Sequence, residues 1–121
     1  MPTVSKFESP ASEYAALNDL NLHKLLVGEQ QHAVFFCYCV GHNLTSRGLF
    51  NGDLLIANRA LTPCHDDIVL VLHHDEFIIR ILDIHNQCLR ADNVSPIPLA
   101  EDMVVEAVIP QSVRCLHRLP I

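Results

Sequence analysis

The sequence lacks any apolar run that approaches the length of a membrane-spanning helix, although half of its residues are apolar. Such a helix needs about 20 consecutive apolar residues, so we expect no transmembrane segment. The first ten residues, MPTVSKFESP, also lack an apolar core followed by a small-residue cleavage site, the pattern of a secretory signal peptide. The sequence therefore predicts a cytosolic protein without a membrane contact.

The sequence also lacks the cluster of basic residues that DNA-binding proteins usually carry. The formal net charge is −6 at pH 7 with neutral histidines, and the arginines stand singly among more numerous acids. Because nucleic-acid binding usually requires clustered lysine and arginine, we expect no direct contact with DNA or RNA. The eight histidines are scattered, and we interpret them as surface and core imidazoles, although protonation below about pH 6.5 would add positive charge.

The cysteines form no disulfide framework. Their number is odd and their spacing irregular, which favours reduced thiols in a cytosolic protein. A strand would place Cys37 and Cys39 on one face, but no second cysteine or histidine pair follows at zinc spacing. Since free cysteine is among the most buried residue types, we favour buried thiols over a metal site and expect no cofactor. The five cysteines are Cys37, Cys39, Cys64, Cys88 and Cys115.

The apolar pattern predicts a β domain. At 121 residues the chain has the length of one domain. Short strands separated by turn residues at this spacing indicate a curved, mostly antiparallel sheet that closes on itself. Because proline lacks a backbone N–H, Pro110 predicts that its strand ends early or lies at an edge. The predicted strands cover residues 33–40, 53–57, 67–72, 77–82, 103–109 and 113–116.

The N-terminal residues divide into an arm and a helix. Residues 1–18 are predicted to be an extended arm, since the residue before Pro10 is pushed towards extended geometry. Residues 19–121 would form the folded domain. The pattern of residues 19–28 predicts a short helix in which Leu22, Leu25 and Leu26 share one apolar face. Gly28 is expected to end this helix.

Residues 39–58 carry the most informative motif, CVGHNLTSRGLFNGDLLIAN. It resembles the peptidase domain of the UmuD and LexA family, in which the turn Gly-Asp-Ser-Met is followed by Asp-Gly-Asp-Leu-Leu and the serine is the nucleophile of a Ser/Lys dyad. The chain keeps Gly41, but His42 replaces the family's aspartate and Asn43 replaces its serine. The resemblance therefore implies that the nucleophile is absent.

The second half of the dyad is replaced too. Residues 76–82, EFIIRIL, resemble the family's Glu-Phe-Thr-Val-Lys segment, which places the catalytic lysine at Arg80. A buried lysine can act as a base once its pKa approaches neutrality, whereas arginine keeps its proton in proteins. The nearest hydroxyl, Ser46, would stay a weak nucleophile without a base. We therefore expect a degenerate peptidase with no catalytic residue.

The arm adds to the resemblance. The segment FESPA, residues 7–11, is similar to the Phe-Pro-Ser-Pro-Ala segment that follows the self-cleavage site of UmuD. The chain thus resembles processed UmuD, and the resemblance implies the LexA/UmuD/signal-peptidase-like β-barrel-type fold.

Three functions follow as expectations from the resemblance. The first is a non-catalytic accessory protein of the SOS response that contacts a Y-family translesion DNA polymerase. The second is an interfering partner that forms a heterodimer with an active UmuD- or LexA-type protein, and the third is a self-cleaving peptidase with a rearranged dyad. A RecA filament is a further candidate partner. We also expect a homodimer, because residues 33–40 are apolar on both alternating faces and must be covered on both sides.

The resemblance also implies what the degenerate site does. If Arg80 lies beside Asn43 in the old cleft, the cleft should hold an extended segment by strand pairing and leave it uncut. The candidates are an acidic partner segment and residues 7–14, which contain Glu8 and Glu13. The alternative is that Arg80 only fills space and pairs with Glu76.

Overall fold

A computed structural model describes residues 33–117 of the chain, so the predicted arm and the predicted helix lie outside the described residues. Within residues 33–117, no helix is long and apolar enough to cross a membrane. One turn of 3-10 helix covers Thr45–Arg47. The strands are β1 Val34–Tyr38, β2 Leu54–Asn58, β3 Ile68–His73, β4 Glu76–Asp83, β5 Cys88–Arg90, β6 Ile97–Pro98 and β7 Val104–Val113.

The strands form one sheet in the order β1-β2-β7-β3-β4-β5-β6. Every pairing in it is antiparallel, which confirms the predicted mostly antiparallel β fold. The last of the described strands, β7, lies near the middle of the sheet and pairs with β2 on one side and β3 on the other. β7 therefore connects the pair β1 and β2 to the strands β3 to β6 within one sheet.

Both faces of the sheet are packed. Successive residues of a strand point to opposite faces, and in β3 Leu70 joins one apolar cluster while Val69 and Val71 join the other. The first cluster also contains Leu44 and Leu49 from the connection between β1 and β2. Each face buries a continuous apolar row, and such burial is the main favourable contribution to folding.

The prediction for Pro110 was wrong. β7 continues through Pro110 and is not an edge strand. Its pairing with β3 ends at Val108, and its register with β2 shifts between Ile56 and Asn58, opposite the proline. Since Pro110 stands at this irregularity, its missing N–H interrupts no regular ladder.

One further strand prediction was wrong, and two strands were missed. Residues 113–116 form no strand of their own, because β7 extends to Val113 and the chain then leaves the sheet. The two shortest strands, β5 and β6, were not predicted. With three and two residues respectively, they are too short to show an alternating pattern.

A buried ion pair ties the start of β2 to the end of β7. The Asp53 side chain is only 4% exposed, and its two carboxylate oxygens accept hydrogen bonds from Nε and Nη2 of Arg114, each at 2.9 Å. The Phe50 backbone N–H also donates to this carboxylate at 2.9 Å. Hydrogen bonding from Arg114 is the main reason why the pKa of Asp53 lies below its ordinary value.

We predict that Asp53→Asn destabilises the fold by about 2 kcal/mol at pH 7, less than a fully buried pair would lose because Arg114 is partly exposed. A carboxylate with a lowered pKa contributes stability above its unfolded pKa of about 3.9 and loses that contribution as pH falls through the folded pKa. The loss in free energy of unfolding caused by Asp53→Asn, measured by urea unfolding, should therefore have its full value above about pH 5 and become smaller below about pH 4.

Asp102→Asn is the matched control, since Asp102 is exposed and has no recorded partner among residues 33–117. A loss of stability in Asp53→Asn that stays constant from pH 7 to pH 3 would contradict the electrostatic explanation.

Candidate functional site

The β1 strand has one unpaired edge. Within the described residues it pairs with β2 alone. The Cys39 N–H donates to the Asp53 carbonyl, and the Ala33 carbonyl accepts from the Arg59 N–H, so the odd-numbered residues direct their backbone groups towards β2. Because hydrogen-bonding direction alternates in an antiparallel ladder, the even-numbered residues Val34, Phe36 and Tyr38 direct theirs away from it.

The β4 strand has a partly open edge as well. β5 pairs with it only from Ile81 to Asp83. Both backbone groups of Leu82 bond to the segment that leads into β3, so by the same alternation Phe77 and Ile79 direct their backbone N–H and carbonyl groups away from β3. The first half of β4 thus offers a second row of outward-facing backbone groups.

A cleft of about 540 Å³ lies between these two edges. Three strands separate β1 from β4 in the sheet, and the two can line one cleft only because the sheet is strongly curved. Asn43 and Arg80, which the sequence assigned to the two dyad positions, both line it. The full lining is Phe35, Phe36, Cys37, Tyr38, Cys39, Val40, Asn43, Leu44, Arg59, Leu70, Phe77, Ile78, Ile79, Arg80 and Glu106.

Arg80 bonds to the open edge of its own strand. Its Nη1 donates to the Ile79 carbonyl at 2.9 Å, one of the outward-facing groups. Its Nε is buried and has no hydrogen-bond partner in the described part of the chain. Burial lowers the pKa of Arg80, but arginine stays protonated in proteins. The alternative pairing with Glu76 was wrong, because residues 33–117 give Arg80 no ion pair.

The turn that carries Asn43 is fixed by Asp92, which sequence reasoning missed. The Asp92 N–H donates to the Asn43 carbonyl at 2.7 Å. Its carboxylate accepts from the Ser46 N–H at 2.8 Å, from the Ser46 hydroxyl at 2.5 Å and from the Thr45 hydroxyl at 3.4 Å. These bonds, led by that from the Ser46 hydroxyl, lower the pKa of Asp92. No local signal could have found this contact, since 46 residues separate Ser46 from Asp92.

The charged side chains of the cleft are predominantly basic. Arg59 and Arg80 line it together with one acid, Glu106. The Arg59 guanidinium lies 4.1 Å from the centre of the Phe35 ring, a cation–π contact. Neither arginine has an acidic partner within residues 33–117. No local pattern in the sequence indicated that Arg59 and Glu106 would reach the site.

Two thiols, those of Cys37 and Cys39, line the cleft, which the sequence did not predict. Cys37 is half-buried and Cys39 buried, and burial raises the pKa of both. Cys88 is buried, but Cys64 and Cys115 are exposed, so for these two the expectation of burial was wrong. Residues 33–117 contain no group of three or more histidine, cysteine, aspartate or glutamate side chains that could hold a metal ion.

The curved antiparallel sheet and the meeting of positions 43 and 80 in one cleft agree with a peptidase-type β domain. The chain belongs to the Peptidase S24-like family, whose model matches residues 4–108. This confirms the resemblance to UmuD and LexA.

The chain is also similar to three curated proteins. Protein ImpA from Escherichia coli is 37% identical over 76 residues, which are 63% of this chain and 51% of ImpA. Protein MucA from Escherichia coli is 34% identical over 76 residues, with the same shares. Protein SamA from Salmonella typhimurium is 31% identical over 78 residues, 64% of this chain and 54% of SamA. The chain spans about half the length of the curated relatives it matches.

The Asp92 contacts predict a titration that can be observed directly. Because the pKa of Asp92 is lowered, its bonds to Ser46 are present above its unfolded pKa of about 3.9 and are lost as pH falls through the folded pKa. In nuclear magnetic resonance spectra we expect the Ser46 amide to shift with a midpoint below about pH 3.9.

In Asp92→Asn the titration should disappear and the Ser46 amide should exchange faster with solvent. Asp102→Asn should leave both observations unchanged. A midpoint at or above the ordinary value for aspartate would show that Asp92 does not hold the turn.

Proposed function

We propose that the chain is a non-catalytic UmuD-like accessory protein of the SOS DNA-damage response, which acts in the cytosol through protein contacts with a Y-family translesion polymerase. Family membership and the similarity to ImpA, MucA and SamA support the assignment to this group. The observation that supports the non-catalytic part is that Asn43 and Arg80, which the resemblance assigns to the family's serine and lysine positions, line one cleft.

Neither Asn43 nor Arg80 can perform the chemistry of a Ser/Lys dyad. Nucleophilic catalysis needs a hydroxyl or thiol and a group that takes its proton. Asn43 has no hydroxyl, and Arg80 holds its proton and bonds to the Ile79 carbonyl. The thiols of Cys37 and Cys39 also line the cleft, but their raised pKa values disfavour the reactive thiolate. Within residues 33–117, no histidine or lysine lines the cleft to activate them.

A rearranged dyad built on Ser46 is less well supported. The Ser46 hydroxyl bonds to Asp92, and Ser46 does not line the cleft. A carboxylate whose pKa is lowered is a weak base at neutral pH. The bond therefore fits an anchored turn better than an activated nucleophile.

The test of the non-catalytic assignment is a cleavage assay. The purified chain should cut neither itself nor an added peptide with a Cys-Gly bond, at pH 7.5 or pH 10, with or without an activated RecA filament. Alkaline pH should not help, because Arg80 has no proton to lose in this range. Cleavage that disappears in Asn43→Ala would overturn the assignment.

The double variant Asn43→Ser with Arg80→Lys tests whether the cleft still holds a substrate in the geometry that cleavage needs. We expect it to cut the Cys-Gly peptide slowly, with Asn43→Ser alone as the control that has a nucleophile but no base. A folded double variant that cuts nothing would show that the cleft has lost the substrate geometry along with the dyad.

A subunit contact is the second part of the proposal. Phe36 and Tyr38 on β1, and Val40 just after it, are 54%, 55% and 86% exposed, and exposed apolar groups of this kind mark protein contacts. We propose that they contact a second copy in a homodimer. The same surface would serve the alternative function, an interfering heterodimer with an active UmuD- or LexA-type protein.

Light scattering at tens of micromolar should therefore give the mass of a dimer, about 27 kDa from the 13.6 kDa chain. Replacing Tyr38 and Val40 by serine should shift the equilibrium to monomer, whereas Val94→Ser, at an exposed site outside the cleft and β1, should not. A wild-type monomer at this concentration would contradict the homodimer.

A further inference from the structure

We propose that Asn51 is a site of spontaneous deamidation, and that the folded chain protects it through two hydrogen bonds that must open before the reaction can occur. Asn51 lies in the connection between β1 and β2, outside the cleft. The proposal assigns a covalent modification to the segment that also carries the Asn43 turn, and it does not rest on the proposed function.

The sequence makes Asn51 the asparagine that reacts most easily. Of the seven asparagines in the chain, Asn51 alone is followed by glycine. Gly52 has no side chain that could hinder attack of its backbone nitrogen on the preceding amide, and its backbone can adopt conformations that other residues avoid. Asn51 and Gly52 are both exposed, so water can reach the reacting groups.

The reaction needs water alone as a co-reactant. The Gly52 nitrogen attacks Cγ of Asn51, and a new C–N bond closes a five-membered succinimide ring. The bond between Cγ and the side-chain nitrogen breaks, and ammonia leaves with the proton that the Gly52 nitrogen has lost. Water then opens the ring at either of its two carbonyls, which gives aspartate or isoaspartate.

Both reacting groups are engaged in hydrogen bonds in the folded chain. The Gly52 N–H donates to the Cys39 carbonyl at 2.8 Å, so the attacking nitrogen keeps its proton. Asn51 Oδ1 accepts from the Gly41 N–H at 2.9 Å, which holds the side-chain amide against the Gly41 turn. The attack therefore requires both hydrogen bonds to break.

These two hydrogen bonds can open without unfolding of the sheet. They lie beyond Tyr38 and Leu54, the last residues that pair β1 with β2 on this side, and the bond between Gly41 and Asn51 is exposed. Exposed bonds at the end of a ladder open at a lower cost in free energy than the central strands. The rate of deamidation should therefore follow the fraction of molecules that are open at this turn.

The experiment measures deamidation of the full chain at pH 8 and 37 °C by peptide mapping with mass spectrometry. In the chain unfolded by guanidinium, Asn51 should react at least about tenfold faster than in the folded chain. The product should contain isoaspartate as well as aspartate. Asn93 is the internal control, because it is also exposed but is followed by the β-branched Val94, and it should react much more slowly in both states.

Two glycine variants separate local opening from global unfolding. Gly41 and Gly48 have φ angles of +92° and +80°, and an added Cβ would meet no atom within 4 Å at either position. Alanine therefore strains the backbone in the same way at both sites, but only Gly41 donates to Asn51. Gly41→Ala should raise the rate about fivefold, whereas Gly48→Ala should change it by less than about twofold.

The two products should differ in stability. Aspartate at position 51 keeps an oxygen that can accept from the Gly41 N–H, so Asn51→Asp should unfold in urea like wild type. Isoaspartate adds one main-chain atom to the turn that the Asp53 N–H closes by donating to the Phe50 carbonyl at 3.0 Å. The isoaspartyl chain, separated by chromatography, should therefore unfold at a lower urea concentration.

Three results would each contradict a part of the proposal. Equal rates in the folded and the unfolded chain would show that the two hydrogen bonds give no protection. An equal rise in Gly41→Ala and Gly48→Ala would show that global unfolding, and not opening of the turn, permits the reaction. Aspartate without isoaspartate would rule out the attack by the Gly52 nitrogen.

Discussion

The position of β7 between β2 and β3 is the constraint on which the cleft depends. β7 has ten residues and shifts register once against each neighbour, between Ile56 and Asn58 of β2 and between Leu70 and Val71 of β3. Such irregularities bend a strand and increase its local twist. We attribute to these two shifts the curvature that brings β1 and β4 to one cleft although three strands lie between them.

The sequence predicted the strands whose own residues show a clear apolar pattern. It failed for features that depend on contacts between residues far apart in the chain. The apolar runs that became β1 to β4 were long enough to show a pattern, but β5 and β6 were not. Pro110 was assigned to an edge because sequence does not show the register shift that accommodates it. In the site, Asn43 and Arg80 were found from a motif, whereas Asp92 and Arg59 reach it only through tertiary structure.

An arginine at position 80, where the resemblance predicts the family's lysine, changes more than basicity. Lysine carries a compact charge on a flexible stem and can lose its proton when buried, whereas arginine presents fixed donors and keeps its charge. Here one of those donors is used on the Ile79 carbonyl. The same substitution therefore accounts for the loss of a base and for the occupation of the β4 edge, and no second change is required to make the cleft asymmetric.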